Sequence, residues 1–91
     1  MMQILQTPRF AKQLKKLKGN QKAALDEAVR TVAENPLLGI QKRGDLSFLR
    51  VYKFKMLQQE ALLAYSYEDD KLIITLLAIG SHENFYRDLK R

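Results

Sequence analysis

The run Leu72-Ile73-Ile74-Thr75-Leu76-Leu77-Ala78-Ile79 is apolar at odd and even positions alike. Eight residues suit a strand, and a strand apolar on both faces belongs inside a sheet that is covered from both sides. Gly80-Ser81-His82 follows directly, so the chain leaves its core beside its only histidine. His82 to Arg91 reads as a terminal helix, with Phe85 and Leu89 four apart on its packing face. The free N–H groups of a first helical turn, at the positive end of the helix dipole, suit that junction to a phosphate.

The remaining sequence supplies the cover. Residues 2–6 read as a short strand. Thr7-Pro8 opens a helix, with threonine as N-cap and proline at the first helical position, and Phe10, Leu14 and Leu17 form its apolar stripe. Gly19 is expected as its C′ residue, and Asn20 as the cap of a second helix carrying Ala24, Leu25, Ala28, Val29 and Val32, ended by Asn35-Pro36. The short connection predicts an antiparallel helical hairpin. Leu37 to Asp45 reads as a loop.

Leu49 to Met56 alternates as a strand. Period two sends Arg50, Tyr52, Phe54 and Met56 toward the helices, and Val51, Lys53 and Lys55 to the other face. The two lysines then stand roughly 6–7 Å apart, a spacing that suits adjacent phosphates of a nucleic acid. A turn at Gln58-Gln59, a strand from Ala61 to Tyr67 and a turn at Glu68-Asp69-Asp70-Lys71 complete the order β-α-α-β-β-β-α. The expectation is one α+β domain over residues 1–91: an antiparallel sheet packed against an N-terminal αα-hairpin, with a short C-terminal helix.

Charge narrows the choice of partner. Sixteen Lys and Arg against ten Asp and Glu leave a net +6 in 91 residues. Arg9, Lys12, Lys15, Lys16, Lys18 and Lys22 form one basic group without acids, and Lys42, Arg43, Arg50, Lys53 and Lys55 form another. Such clusters point to a polyanion: nucleic acid, an acidic protein segment, or both. One histidine and no cysteine offer no metal-ligand set, and no phosphate-loop or dinucleotide motif is present, so neither metal nor cofactor is expected. The absent cysteines fit a reducing cytoplasm. No 18-residue apolar span or signal peptide is seen, so no membrane is expected as a partner.

The order of elements, Tyr52-Lys53-Phe54-Lys55, Leu63-Ala64-Tyr65 and the Gly80-Ser81-His82 turn resemble the RelE/ParE superfamily of type II toxin–antitoxin toxins. The resemblance spans essentially the whole chain. It implies a bacterial mRNA interferase of the RelE or YafQ kind: a ribosome-dependent endoribonuclease that cuts mRNA and inhibits translation. Tyr52 to Lys55 matches the Tyr-Lys-hydrophobic-Lys strand of RelE-type members. Gly80-Ser81-His82 matches the Gly-Thr-His turn of the YafQ kind, and Tyr86 matches the tyrosine of the terminal helix. RelE-type members hold the scissile phosphate with an arginine where this chain has Leu62, leaving Arg50, Arg43 or Arg87 to supply the cation.

The implied mechanism is metal-independent transesterification by the RNA 2′-OH. His82 acts as acid or base, Lys53 and Lys55 stabilise the developing charge, and Tyr86 stacks on a base or donates to the phosphate. Arg50, Arg43, Arg87, Lys12, Lys15 and Lys16 are the candidate RNA-binding residues. The implied partners are a cognate antitoxin, the ribosome and mRNA. Two alternatives use the same scaffold: a ParE-like poison of DNA gyrase without nuclease activity, and a catalytically decayed homologue acting only with its antitoxin.

Overall fold

The computed structural model describes residues 2–81, so the terminal helix expected from the sequence, with His82, Tyr86 and Arg87, lies outside the described residues. In chain order the elements are β1 (Gln3–Gln6), α1 (Pro8–Lys15), α2 (Gly19–Glu34), β2 (Ile40–Gln41), a 3-10 turn (Gly44–Leu46), β3 (Arg50–Met56), β4 (Gln59–Glu68) and β5 (Ile73–Ser81). The fold is α+β, with five strands ordered β1-β5-β4-β3-β2. Strands β3, β4 and β5 form the expected antiparallel meander. β1 joins β5 in parallel, so the sheet is mixed rather than wholly antiparallel. Periodicity reveals that a strand exists but not which neighbour it takes.

The start of α1 is fixed by Thr7. Its Oγ1 accepts the Phe10 N–H at 3.2 Å while its hydroxyl donates to the Leu77 carbonyl at 3.0 Å. Its own N–H donates to the Leu76 carbonyl, so one residue caps the helix and continues the β1–β5 pairing. The boundary between the helices differs from expectation. Lys16 is the C-cap of α1, and Gly19 is the first residue of α2 rather than a C′ glycine. Asn20 lies inside α2; the cap position is Lys18, whose N–H donates to Gln21 Oε1 at 2.8 Å. The glutamine at N3 reaches back to the N–H of the cap residue itself, a different donor from the N2 or N3 amide that an N-cap asparagine would serve. At the far end Asn35 is the C-cap and Pro36 follows, as the sequence implies.

α1 lies against β5 and α2 against β3. On this side Phe10, Leu25, Ala28 and Val32 pack with Leu63, Tyr65, Ile74, Leu76 and Ile79, and Tyr52, Phe54 and Met56 join at the rim. The other face carries a smaller cluster: Val51, Leu62, Ala64 and Ala78 beneath Leu46 and Leu49. Both faces of β4 are thereby covered, and Ala61 to Tyr65 are all buried. The segment from Leu37 to Asp45 is not only a loop. Ile40 and Gln41 pair with Val51 and Arg50, and the 3-10 turn then brings Leu46 over the second face. A two-residue strand has no periodicity to read. The β3–β4 turn centres on Leu57-Gln58, one residue earlier than expected, with Leu57 at φ 63°.

Candidate functional site

Strand alternation sorts the basic residues of β3. Val51 is buried in the second cluster, so Lys53 and Lys55, two and four residues on, stand on that same face, away from the helices. Both are exposed, and neither forms an ion pair with a described residue. Register places Lys53 opposite Leu62, and Leu62 opposite Gly80, in one row across three strands. At strand spacings of roughly 4.8 Å, the backbones of Lys53 and Gly80 lie about 10 Å apart. Lys55 pairs with Glu60, and the β4–β5 ladder ends at Ala61–Ser81. The chain thus reaches its last described residue, Ser81, at the end of the sheet where Lys55 stands.

Leu62, at the position where the resemblance calls for an arginine, is fully buried at 0% exposure. The centre of the Lys53–Leu62–Gly80 row is therefore apolar. Arg50 is not beside it. Arg50 pairs with Tyr65 and faces the helices' side, where its Nη1 donates to the Gly39 carbonyl at 2.9 Å and the Leu37 carbonyl at 3.3 Å. Arg43 precedes the 3-10 turn and is exposed. Lys12 and Lys15 are exposed on α1, as is Lys16 just after it. The structure brings Lys53 and Lys55 together and leaves Arg50 on the opposite face. His82, Tyr86 and Arg87 lie outside the described residues.

Beside Gly80 and Ser81 opens a cavity of about 350 Å³ walled by Gln13, Lys16, Leu17, Met56, Gln59, Glu60 and Ile79. Gln13 shapes it. Its Nε2 donates to the Ile79 carbonyl at 2.7 Å and its Oε1 accepts the Ile79 N–H at 2.8 Å. β1 stops pairing at Leu76, so this side-chain amide takes over where the strand ends and ties α1 to the C-terminal part of β5. Gln13 lies three residues after Phe10 and four before Leu17, on the face of the apolar stripe, but hydrophobic patterning gives no sign of its role because the side chain is polar.

A second support holds the segment before β3. The Tyr65 hydroxyl donates to the Pro36 carbonyl and accepts the Gly39 N–H, both at 2.8 Å. With Arg50 on the Leu37 and Gly39 carbonyls, the chain from Pro36 to Gly39 is held from two directions. Burial pushes the Tyr65 phenol above its ordinary pKa of 10.0, opposed by the Gly39 N–H and the Arg50 charge. A Cβ on Gly39 would lie 2.6 Å from the Tyr65 hydroxyl, so glycine is required by close approach.

Residues 4–90 match the ParE-like toxin of type II bacterial toxin-antitoxin systems. The chain belongs to this ParE-like toxin family. Its ParE-like fold recurs in solved structures. A mutant of the E. coli toxin RelE in the free state superposes with a TM-score of 0.75 at 19% identity, covering 99% of this chain and 96% of that one. RelE in the intact E. coli RelBE toxin–antitoxin complex gives 0.71 at 22%, over 91% and 99% of the two chains. The RelBE2 toxin–antitoxin complex of Mycobacterium tuberculosis gives 0.72 at 20%, over 89% and 98%. These identities carry the fold alone. No curated protein matches the chain by sequence.

Proposed function

We propose that this ParE-like toxin is an mRNA endoribonuclease acting on the ribosome, held in check by a cognate antitoxin. The observation that carries the reading is the pair of exposed ammonium groups on β3, one of which, Lys53, lies in one row with Leu62 and Gly80; Gly80 and Ser81 belong to β5 rather than to the turn expected there, and His82 follows them in sequence. Two lysines roughly 6–7 Å apart on one face bind successive RNA phosphates and stabilise the charge that develops on the non-bridging oxygens. In this reading the 2′-OH attacks the adjacent phosphorus while His82 moves the proton. The 5′ oxygen leaves, and the product is a cyclic phosphate. General acid–base help of this kind contributes roughly 10²–10⁴-fold. Tyr86 and Arg87 are assigned to base stacking and phosphate contact. Arg43, Lys12, Lys15 and Lys16 remain candidates for ribosomal RNA contacts; Arg50, bound to loop carbonyls, is left out.

A second reading rests on one observation. Leu62 leaves the middle of the lysine row without a cation, which favours a ParE-like poison of DNA gyrase or a homologue without catalysis. Induction in a bacterial host separates them. Growth arrest with mRNA cleaved within codons, relieved by His82→Ala, supports the nuclease. Growth arrest with an SOS response and intact mRNA supports gyrase, and no arrest at all supports the decayed homologue. The antitoxin reading draws on relatives solved as toxin–antitoxin complexes, and on the basic surface that an acidic, partly disordered segment would cover.

A further inference from the structure

β1 closes the sheet on the side away from β3, and among the described residues nothing pairs with its outer edge. The Gln3 N–H donates to the Leu72 carbonyl and the Thr7 N–H to the Leu76 carbonyl, which fixes the parity of the strand. Gln3, Leu5 and Thr7 turn their backbone groups toward β5, and by alternation Ile4 and Gln6 turn theirs outward. Residues paired across strands share a face. Ile4 and Gln6 therefore lie on the helical side with Ile74 and Leu76, and Leu5 lies on the other side with Thr75. Ile4 is 44% exposed and Leu5 42%. Beside Ile4 a groove of about 170 Å³ runs between β1 and Phe10, Leu14, Leu25 and Val29. Open edges are commonly guarded by lysine, proline or a bulge. β1, Gln-Ile-Leu-Gln, carries no such guard, whereas Lys53 and Lys55 stand on β3 toward the opposite edge.

We propose that the outer edge of β1 pairs with the same edge of a second copy of this chain, antiparallel about a two-fold axis at Leu5, joining two five-stranded sheets into one. Charge and parity select the occupant. A chain of net +6 draws acidic partners to its lysines, but β1 has no charge to meet a carboxylate, and its outward groups complement those of another β1. With the axis at Leu5, Ile4 exchanges both backbone hydrogen bonds with Gln6 of the second copy, and Gln6 does the same with its Ile4. The two Leu5 side chains meet as a non-hydrogen-bonded pair, where strands approach most closely. Pro8 has no N–H and ends the ladder. An axis at Ile4 would have to recruit Met2, which lies outside β1, and an axis between Ile4 and Leu5 would set outward groups against inward ones. The axis stands perpendicular to the sheet, so both copies present Lys53 and Lys55 on the same side. Contact along one short strand falls below the roughly 1,200 Å² of stable complexes, so the dimer is weak and forms at high concentration.

The chain has no cysteine, so a single introduced one reports the register. Leu5→Cys, at the axis, should form a disulfide-linked dimer in air about tenfold or more faster than Ile4→Cys, which faces a glutamine of the second copy. Amide hydrogen exchange on the parent chain gives a second readout. The Ile4 and Gln6 N–H groups should gain about tenfold or more in protection between about 10 μM and about 1 mM protein, while those of Gln3 and Leu5 stay unchanged. Leu5→Lys should remove that gain, with folding checked by circular dichroism. Equal cross-linking at both positions, faster cross-linking of Ile4→Cys, or exchange that does not depend on concentration overturns the proposal. So does protection that appears only when an acidic peptide of alternating glutamate and valine is added, which would make this edge a docking site for another protein.

Discussion

The two faces of the sheet are built for different tasks. On the helical side two helices meet the long side chains of β4 and β5, and the core extends from Phe10 to Ile79. On the other side, among the described residues, Leu46 and Leu49 lie above Val51, Leu62, Ala64 and Ala78 with Leu77 beside them, and the same surface continues to Lys53 and Lys55. One face holds the molecule together. The other, among the described residues, carries the smaller apolar cluster and keeps two like charges near each other, which adds nothing to stability. Two ammonium groups held at strand spacing, neither in an ion pair with a described residue although Glu60 lies across from Lys55, suit an anionic ligand.

Changes that damage the first face should cost most. Leu63→Ala, on the helical side, is expected to lose about 2–5 kcal/mol by removing buried volume and leaving a cavity. Urea unfolding followed by circular dichroism measures it; a loss under about 1 kcal/mol would mean the helical core is not the main source of stability.

Next come the polar supports. Gln13→Ala strands the N–H and C=O of Ile79, and Tyr65→Phe strands the Gly39 N–H, each at about 1–3 kcal/mol. Gly39→Ala drives a methyl group against a phenol that cannot move aside, and should cost at least as much as Tyr65→Phe. Thermal melts of the three variants rank them, and a Gly39→Ala protein as stable as the parent would contradict the packing around Tyr65.

pH offers a further handle on the same region. The Tyr65 pKa is raised in the folded state by burial, so the folded chain holds this proton to higher pH than the unfolded chain does. That contribution is fully present below the unfolded value near pH 10.0 and is lost as pH rises from there through the raised folded value. Ultraviolet titration of phenolate should show both Tyr65 and Tyr67 ionising late, Tyr67 through its hydrogen bond to Asp69, and one of these late ionisations should disappear in Tyr65→Phe. Early ionisation of every tyrosine would deny the burial.

The smallest effect on stability belongs to the second face. Lys53→Ala with Lys55→Ala should change the unfolding free energy by less than about 0.5 kcal/mol. The same double variant should lower the salt slope of single-stranded RNA binding by about 1.4, from two lost phosphate contacts at roughly 0.7 each. Unchanged slope with unchanged stability would leave the lysines without a ligand.

The contrast between the faces was partly legible in the chain. Alternation from Leu49 to Met56 assigns Tyr52, Phe54 and Met56 to the helices and the lysines away from them, because side-chain direction in a strand follows from position alone. Thr7-Pro8 and Asn35-Pro36 likewise mark helix ends through local geometry. What was hidden depends on residues far apart in sequence. Arg50 reads as one more cation of a basic cluster, and only the Pro36–Gly39 segment folding over Tyr65 gives its guanidinium carbonyls to bind. Gln13 reads as an ordinary helix residue until β1 ends at Leu76 and exposes the backbone of Ile79. Gly19 and Asn20 suggested a helix boundary by residue type, and Gln21 displaced both by reaching back to Lys18.

The most direct test of the lysine face is primer extension on mRNA after induction, run on the parent chain and on the Lys53→Ala, Lys55→Ala variant, with folding checked by thermal melt. The account predicts codon-associated cuts with the parent, and none with a variant that melts at the same temperature. Equal cutting by both would contradict it.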